Sequence, residues 1–532
     1  MLLECDGCSV LIDCGIQFPD AAYPGVDLFL PDFSVLLDRL DALKGIVVTH
    51  GHDDHIGGIP FLARHKELDV YCTPFPRGLI QERLREFNDA KRITFHEITP
   101  RASFRIGPFF FDPIPVQHSI IESLALAIET PAGNLVHSGD FKHDPAEYKG
   151  GQSGFEALEE WGKKGVSLLF SDSTNAERTG HTLSEETITS SFERFFLEQK
   201  GRIIIALFAS NIRRIENLLR LAKKLKKRIA LAGRSMHSYT KLAHEQSSLD
   251  IPEDTLVLLE NIHEVPDQDL IVLATGSQAE PQSALVRIAS GMHKDISIQS
   301  GDLVLLSSRF IPGNEKAITS MIDHLYRAGA EVVYESIHQI HVSGHGFQDE
   351  LRMMLCSVRP KFFIPIHGEY RHLAKHAVLA RQNDVAPENV FVIEDGQAIE
   401  LSSDRVVMGD RLTLNKLPVV NNIVVGGEST TFNQRAKFAR AGVVLVVAVY
   451  DRKSGELLVP PRISAHAILL QHGYEPASVL EEAIRAFESF FPTFFGKPDL
   501  VENVRIEMRR FYKKRASQKP EVIPVLVSID KH

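Results

Sequence analysis

Thr49-His50-Gly51-His52-Asp53-Asp54-His55 is the stretch of this chain whose residue types are hardest to explain without a metal ion. It follows the apolar run Gly45-Ile46-Val47-Val48, which reads as a strand. In extended backbone, residues two apart face the same side, so His50 and His52 converge on one cation. Asp54 and His55 lie past the bend and point toward a second. Imidazole and carboxylate donors suit zinc, and a pair of ions about 3.5–4 Å apart is the arrangement used in phosphate ester hydrolysis. A solvated His-rich turn is the competing reading, and it accounts poorly for so many such residues at a strand-to-helix junction. This loop alone has too few ligands for two ions. Loops at other strand ends offer more: His118 in Gln117-His118-Ser119, Asp140 in His137-Ser138-Gly139-Asp140, and His367 in Pro365-Ile366-His367-Gly368-Glu369.

The elements that must place these loops follow from the apolar pattern. Leu2-Leu3-Glu4-Cys5 and Cys8 to Ile12 read as a hairpin about Asp6-Gly7, which makes the Cys5/Cys8 spacing structural rather than half of a zinc site. Short β-type runs follow at 45–49, 70–72, 109–116, 124–129, 134–137 and 167–170, each ending in a polar loop. From about Leu183, strands (202–208, 228–232, 269–274, 303–307, 331–334) alternate with helices (212–225, 281–289, 315–328), the rhythm of a parallel, helix-flanked sheet. His-bearing loops then resume at 341–345 and 365–369, so one domain is inserted into another. The expected division is 1–183 and 341–418 for the interrupted domain, 184–340 for the insertion, a linker over 419–440, and a small α+β domain over 441–532. That last domain is expected to hold a strand at 443–450, helices at 477–490 and 500–514, and a closing strand at 524–529 headed by its proline.

Composition bounds the chemistry. With 532 residues, 44% hydrophobic and 24% charged, the chain builds cores without disulfide staples and is neither disordered nor fibrous. A formal net charge of −10 repels nucleic acid and anionic membrane, so a polyanion partner must be met by a local cleft. Five cysteines without framework spacing fit a reducing compartment, and the cytoplasm is expected. No apolar run approaches the roughly 20 residues of a span, and Glu4 and Asp6 stand where a signal peptide is apolar, so no membrane partner is expected. The basic runs 223–228 and 509–515 read as solvated helix faces ahead of RNA contacts.

Asp13, the His50/His52/Asp54/His55 cluster, His118, Asp140 and His367 resemble, in order, the motifs of the metallo-β-lactamase superfamily. Asp172 in Ser171-Asp172-Ser173-Thr174-Asn175 and His345 in His341-Val342-Ser343-Gly344-His345 resemble the added motifs of its β-CASP nucleic-acid branch. Phe208-Ala209-Ser210-Asn211, Gly233-Arg234-Ser235-Met236, Thr275-Gly276-Ser277-Gln278 and Ile311-Pro312-Gly313-Asn314-Glu315 are similar to the ribonuclease J family within that branch. The similarity covers essentially the whole chain. It implies an α/β fold: a metallo-β-lactamase αββα sandwich with an inserted parallel-sheet β-CASP domain and a small C-terminal α+β domain. It also implies two Zn2+ per chain, with Mn2+ or Mg2+ as substitutes in vitro. His50, His52, His118 and Asp140 would bind one ion, and Asp54, His55, Asp140 and His367 the other, with Asp140 bridging. His345 would protonate the departing 3′-oxygen, held by Asp172. For Asp13, orienting an imidazole and capping a hairpin stand as equal readings.

In the insertion, Ser210-Asn211, Gly233-Arg234-Ser235 and Gly276-Ser277 sit where strands meet helices, and composition alone favours N-caps. The resemblance instead implies that Ser210, Asn211, Arg234, Ser235 and Ser277, with His341, Val342, Ser343, Gly344 and His345, grip phosphates of an RNA 5′ end. The expected activity is 5′-to-3′ exonuclease action on 5′-monophosphorylated single-stranded RNA, with internal cleavage, in rRNA processing and mRNA decay. A homodimer or homotetramer and RNA-degradation partner proteins are expected. A β-CASP DNA nuclease, which commonly has an aliphatic residue at the place of His367, is the alternative, as is a small-molecule metallo-hydrolase, which has no use for the insertion. Two positions depart from the family pattern: Arg213 stands where a His is common, and Gly426-Gly427 where Gly-Asp is common, which counts against an accessory calcium site.

Overall fold

Alternating apolar residues build two sheets that share one core. Leu2–Cys5 and Cys8–Ile12 pair antiparallel about a turn in which Asp6 and Gly7 both take positive φ, 50° and 73°, the geometry that closes a two-residue hairpin. Leu43–Val47, Leu68–Cys72 and Ile93–Glu97 extend this sheet in parallel. The second sheet runs in the order Phe362–Ile366, Leu168–Asp172, Gly133–His137, Leu124–Thr130, Phe109–Pro115, Phe104–Ile106. Val10, Ile12 and Val47 of the first sheet pack with Phe111, Leu126 and Ile364 of the second. Behind the second sheet, helices Gly154–Lys164, Gln348–Val358 and Tyr370–Arg381 bury Leu158, Trp161, Leu355 and Ala380. Helices Ile59–Leu62 and Pro74–Leu84 bury Phe61, Leu62, Phe75 and Ile80 and supply the opposite outer layer of the expected αββα sandwich.

This computed structural model describes every residue except 20–22, 38, 146–153, 312, 336, 427–428 and 531–532, so Pro312 and Gly427 of the sequence reading lie outside the described residues. The chain forms two compact units, Met1–Gln17 with Leu30–Lys416 and Phe18–Phe29 with Leu417–His532.

Within the first unit, the insertion is a five-stranded parallel sheet in the order Arg228–Ala232, Leu270–Ala274, Ile203–Ala206, Leu303–Leu306, Glu331–Tyr334. Its strands are continuous apolar runs because both faces are covered. The chain then returns: Phe362–Ile366 pairs parallel to Leu168–Asp172, with Ile366 opposite Asp172, so residues far apart in sequence meet at one sheet end. Gly276-Ser277 does not open a helix, contrary to expectation. Ala279 and Gln282 take positive φ, 57° and 67°, and the helix waits until Ala284.

In the second unit, Val443–Asp451 lies between Arg462–His466 and Glu521–Ile529 beneath helices Pro476–Phe494 and Leu500–Lys513. Pro524 is not the first residue of its strand. It sits inside, opposite Val446, and is tolerated because the strand is an edge. The expected linker is also corrected: helix Ser429–Ala441 occupies most of it, and Phe432 packs with Val26 and Phe29 from a segment assigned to the first domain. The basic runs are tied to their own surroundings. Lys224 pairs with Glu193, Lys227 donates to the Gln268 carbonyl, Arg510 pairs with Glu507 and Arg515 with Glu482. No described helix is long and apolar enough to cross a membrane.

The turn after Cys8–Ile12 is laced to the His-rich loop: Cys14 N–H donates to the His55 carbonyl at 2.7 Å, and Gly58 N–H to the Cys14 carbonyl at 2.8 Å. A Cβ at Gly15 would lie 1.5 Å from the Asp54 carbonyl oxygen. Gly15→Ala is therefore expected to lower stability by about 1–3 kcal/mol in thermal or denaturant unfolding, because backbone rather than a side-chain tip must move.

Candidate metal centre

His50 and His52 leave the strand Leu43–Val47, Asp54 and His55 open the short helix Asp53–Ile56, His118 follows Phe109–Pro115, Asp140 follows Gly133–His137, and His367 follows Phe362–Ile366. Around Asp140 Oδ2 stand the Nε2 atoms of His55 at 3.3 Å, His367 at 3.5 Å, His50 at 3.6 Å and His118 at 3.8 Å. His50, His52, His118 and Asp140 each offer an atom within 4.8 Å of the others, as do Asp54, His55 and His367. The first expected group is thus brought together whole, Asp54, His55 and His367 of the second converge without Asp140, and Asp140 joins Asp172, His345 and His367 in a further group. His367 holds its position in left-handed backbone, φ 54°, as does Asp13, φ 58°.

The hydrogen bonds on the far side of each ring decide which nitrogen is bare. Asp13 Oδ2 accepts from His55 Nδ1 at 2.8 Å, and the Gly344 carbonyl accepts from His118 Nδ1 at 2.7 Å. Thr49 Oγ1 donates to Asp13 Oδ2 at 2.7 Å and therefore accepts from His50 Nδ1 at 3.0 Å. Thr174 Oγ1 donates to Asp172 Oδ1 at 2.8 Å and accepts from His367 Nδ1 at 2.8 Å. In its neutral form each of these imidazoles therefore turns an Nε2 lone pair inward, and on His55 and His367 an added proton would occupy that same nitrogen. His52 is reversed: its Nε2 contacts Ser210 Oγ at 3.3 Å, and its Nδ1 faces His50 and His118 Nε2 at 3.1 Å each. The inward His55 Nε2 is buried and has no hydrogen-bond partner. Lone pairs facing one another and a carboxylate fit a cation, and the nitrogen and oxygen donors suit zinc.

Charge follows the same logic. Burial, with the neighbouring imidazoles, pushes His50 well below its ordinary range, and burial also dominates the lowering of His118. Burial opposes protonation of His55 and His367 too, yet Asp140 with Asp13 or Asp172 raises both well above 6.5. The same imidazoles outweigh burial and hold Asp54 and Asp140 below the carboxylate range.

Beside this group, His345 Nδ1 donates to Asp172 Oδ2 at 2.8 Å. Asp172 Oδ1 also accepts from Thr174 N–H, so this carboxylate is already engaged as a support. Burial is again opposed, and Asp172 raises His345 above 6.5.

The expected phosphate positions separate. Ser343 Oγ accepts from Asn175 Nδ2 at 2.7 Å, and the Gly344 carbonyl is spent on His118. Asn211 is buried and caps helix Ile212–Lys224 by accepting from Arg214 N–H, so the cap reading prevails. Ser210 reaches His52, and Arg234 and Ser235 lie exposed at the start of helix Arg234–Glu245. Ser277 is buried with its hydroxyl unpartnered. His341 faces Arg214 Nη1 at 3.2 Å, and the Val342 carbonyl accepts from Arg214 Nη2 at 3.4 Å. Sequence reading missed Thr49 and Thr174. Their signal was a hydroxyl one residue before His50 and two after Asp172.

Family profiles match four consecutive stretches: a beta-lactamase superfamily domain at 9–181, a ribonuclease J beta-CASP domain at 200–325, a Zn-dependent metallo-hydrolase RNA specificity domain at 329–392, and a ribonuclease J C-terminal domain at 430–529. The chain is 36% identical over 533 residues to ribonuclease J of Helicobacter pylori, covering 99% of this chain and 76% of that one. It is 36% identical to ribonuclease J of Synechocystis, covering 92% and 76%, and 33% identical to ribonuclease J 1 of Streptococcus pyogenes, covering 98% and 94%. A crystal structure of an Enterococcus faecalis protein of unknown function shares the fold, with a TM-score of 0.52 at 14% identity over 76% of this chain and 95% of that one.

Asp13→Ala frees the His55 ring and is expected to weaken metal affinity by about 10–100-fold in competition with a chelator. In the unchanged chain, cation entry displaces protons that His55 and His367 retain above pH 6.5, so affinity falls as pH drops through their raised values. Equal affinity for the Asp13 variant, or a flat pH profile, contradicts these roles.

Proposed function

The chain belongs to the ribonuclease J family of metal-dependent nucleases, and on that premise we propose that it is a zinc-dependent ribonuclease that degrades single-stranded RNA 5′-to-3′ from a 5′-monophosphate and also cuts internally. Maturation of rRNA and decay of mRNA in the cytoplasm are the proposed settings. Assembly as a homodimer or homotetramer, association with other RNA-degradation proteins, and domain limits near 183 and 340 belong to the same proposal. The observation that carries it is the Asp172–His345 pair standing beside a cage of inward-facing imidazole nitrogens around Asp140.

His50, His52, His118 and Asp140 would hold one Zn2+, and Asp54, His55, Asp140 and His367 a second. When bound, such a pair supplies a nucleophile from water near neutral pH and takes up charge on the phosphoryl oxygens. The protein's own part is positional and protonic. Asp13 and Thr49 fix His55 and His50, and Thr174 fixes His367. His345, its Nδ1–H held by Asp172, keeps a proton on the ring and gives it to the departing 3′-oxygen. The match of residues 329–392 to an RNA specificity domain spans both His345 and His367 and supports RNA as the strand that is cut.

His345→Ala is expected to lower kcat by about 10²–10⁴-fold while bound metal is unchanged. Because Asp172 raises the His345 pKa, the donor stays protonated above 6.5 and is lost as pH rises through the raised value. Activity therefore falls on the alkaline side, and Asp172→Asn moves that limb to lower pH. Unshifted limbs, or loss of metal in the His345 variant, refute the assignment.

The substrate reading is tested with one RNA sequence bearing 5′-monophosphate, 5′-triphosphate or 5′-hydroxyl and a matched DNA. Mononucleotide release chiefly from the monophosphorylated RNA is the expected result. Indifference to the 5′ group removes the exonuclease claim, and equal cleavage of DNA removes the choice of RNA.

A further inference from the structure

Two arginines from distant parts of the first unit stand on the His345 side of the centre. Arg309 follows the strand Leu303–Leu306 of the inserted sheet, and its Nη1 donates to Asn175 Oδ1 at 3.4 Å. The same Asn175 amide donates to Ser343 Oγ at 2.7 Å and to the His345 carbonyl at 2.9 Å. One side chain therefore separates this exposed guanidinium from the loop of the proton donor. Arg178 lies one turn beyond Asn175, its N–H donating to the Asn175 carbonyl at 2.9 Å. Its half-buried guanidinium sits 5.3 Å from the centre of the Phe347 ring.

Neither guanidinium of this pair is matched by a carboxylate partner among the described residues. Arg101, Arg202, Arg214, Arg352 and Arg371 each pair with a carboxylate. Among the described residues, neither Arg178 nor Arg309 forms an ion pair. Burial and the Arg309 charge together lower the Arg178 pKa, with Glu335 opposing, and the Arg309 charge also bears on His341 and His372. Two like charges beside a hydrolytic centre, with Glu335 acting on Arg178 but ion-paired to neither, favour a further anion. Guanidinium forks match phosphate oxygens bidentately. A chain of net charge −10 must also concentrate positive potential wherever it receives a polyanion.

We propose that Arg178 and Arg309 form a phosphate-binding subsite on the proton-donor side of the centre, holding a phosphate group of the RNA strand next to the bond that is cut. This rests on the nuclease reading and adds to it two residues and the chemistry they take. The group is either a terminal 5′-monophosphate or an internal phosphodiester, and Arg309, reaching from the insertion, makes the subsite a joint product of both domains.

The test compares KM and kcat on a short RNA with a 5′-monophosphate and on the same RNA with a 5′-hydroxyl. Arg178→Ala and Arg309→Ala are expected to raise KM about tenfold or more, with kcat within about threefold of the unchanged chain. Arg309→Lys restores part of the loss, and Arg327→Ala, on a distant exposed helix face, changes neither constant. A KM rise confined to the monophosphorylated RNA identifies the terminal group, and a rise on both RNAs identifies the internal diester. A fall in kcat with KM unchanged, or no effect on either constant, overturns the subsite, the first because Arg309 would then act only through Asn175 on His345. If the unchanged chain cleaves no RNA, the nuclease reading fails separately. Calorimetric titration with inorganic phosphate then decides the subsite: weaker binding in both alanine variants upholds it, and equal binding overturns it.

Discussion

Inward-facing imidazole nitrogens around a single carboxylate oxygen make an arrangement that the chain's own hydrogen bonds cannot satisfy. The protons of His50, His55, His118 and His367 are committed outward, to Thr49, Asp13, the Gly344 carbonyl and Thr174. What remains around Asp140 Oδ2 is a shell of lone pairs in a buried, weakly screened volume. Positive charge must fill it, as protons on His55 and His367 or as a cation. The fold around it follows from this demand, because ligand loops from both sheets must end at one place and each must bring its own outer partner.

Those outer partners form two similar relays. Asp13 accepts from Thr49 Oγ1 and from His55, while Thr49 receives His50. Asp172 accepts from Thr174 Oγ1 and from His345, while Thr174 receives His367. In each relay one carboxylate sets a threonine proton, and the threonine sets the tautomer of a ligand ring. The relays differ in where the directly bound imidazole points. His55 looks into the cage, whereas His345 stands at its rim with Nδ1 4.0 Å from Asp140 Oδ2. The same device therefore orients one imidazole into the cage and another at its rim.

Much of this was legible in the chain. Apolar alternation located the strands, because a buried face leaves a period-two record, and the His-rich loop announced a cation through spacing alone. Asp13, undecided between ring support and hairpin cap, holds the His55 ring with one oxygen and the Thr49 N–H with the other, through contacts that no local pattern contains. Thr49 and Thr174 were invisible as functional groups because a lone threonine beside a loop has many ordinary uses. Asn211 looked the same as a cap and as an anchor, and the buried side chain caps its helix by accepting from Arg214 N–H. The helix over the expected linker and the proline inside an edge strand depend on tertiary neighbours rather than on propensity.

The insertion is bound into the chemistry rather than appended to it. Arg214, fully buried on the first helix after Ser210-Asn211, donates to both Glu185 oxygens, to the Ser307 carbonyl and hydroxyl, and to the Val342 carbonyl, and it faces His341. Burial and the Arg214 charge push His341 down to about 3, so it meets that cation as a neutral acceptor. The loop so gripped continues through Ser343 and Gly344, and a Cβ at Gly344 would lie 2.9 Å from His118 Nδ1. The close approach that only glycine allows is what brings the Gly344 carbonyl to the ligand ring. A continuous set of contacts thus runs from the inserted sheet through Arg214 to His341 and Val342, and from Gly344 to His118. One short segment of backbone, 341–345, therefore contacts both the inserted domain and the rings of the centre.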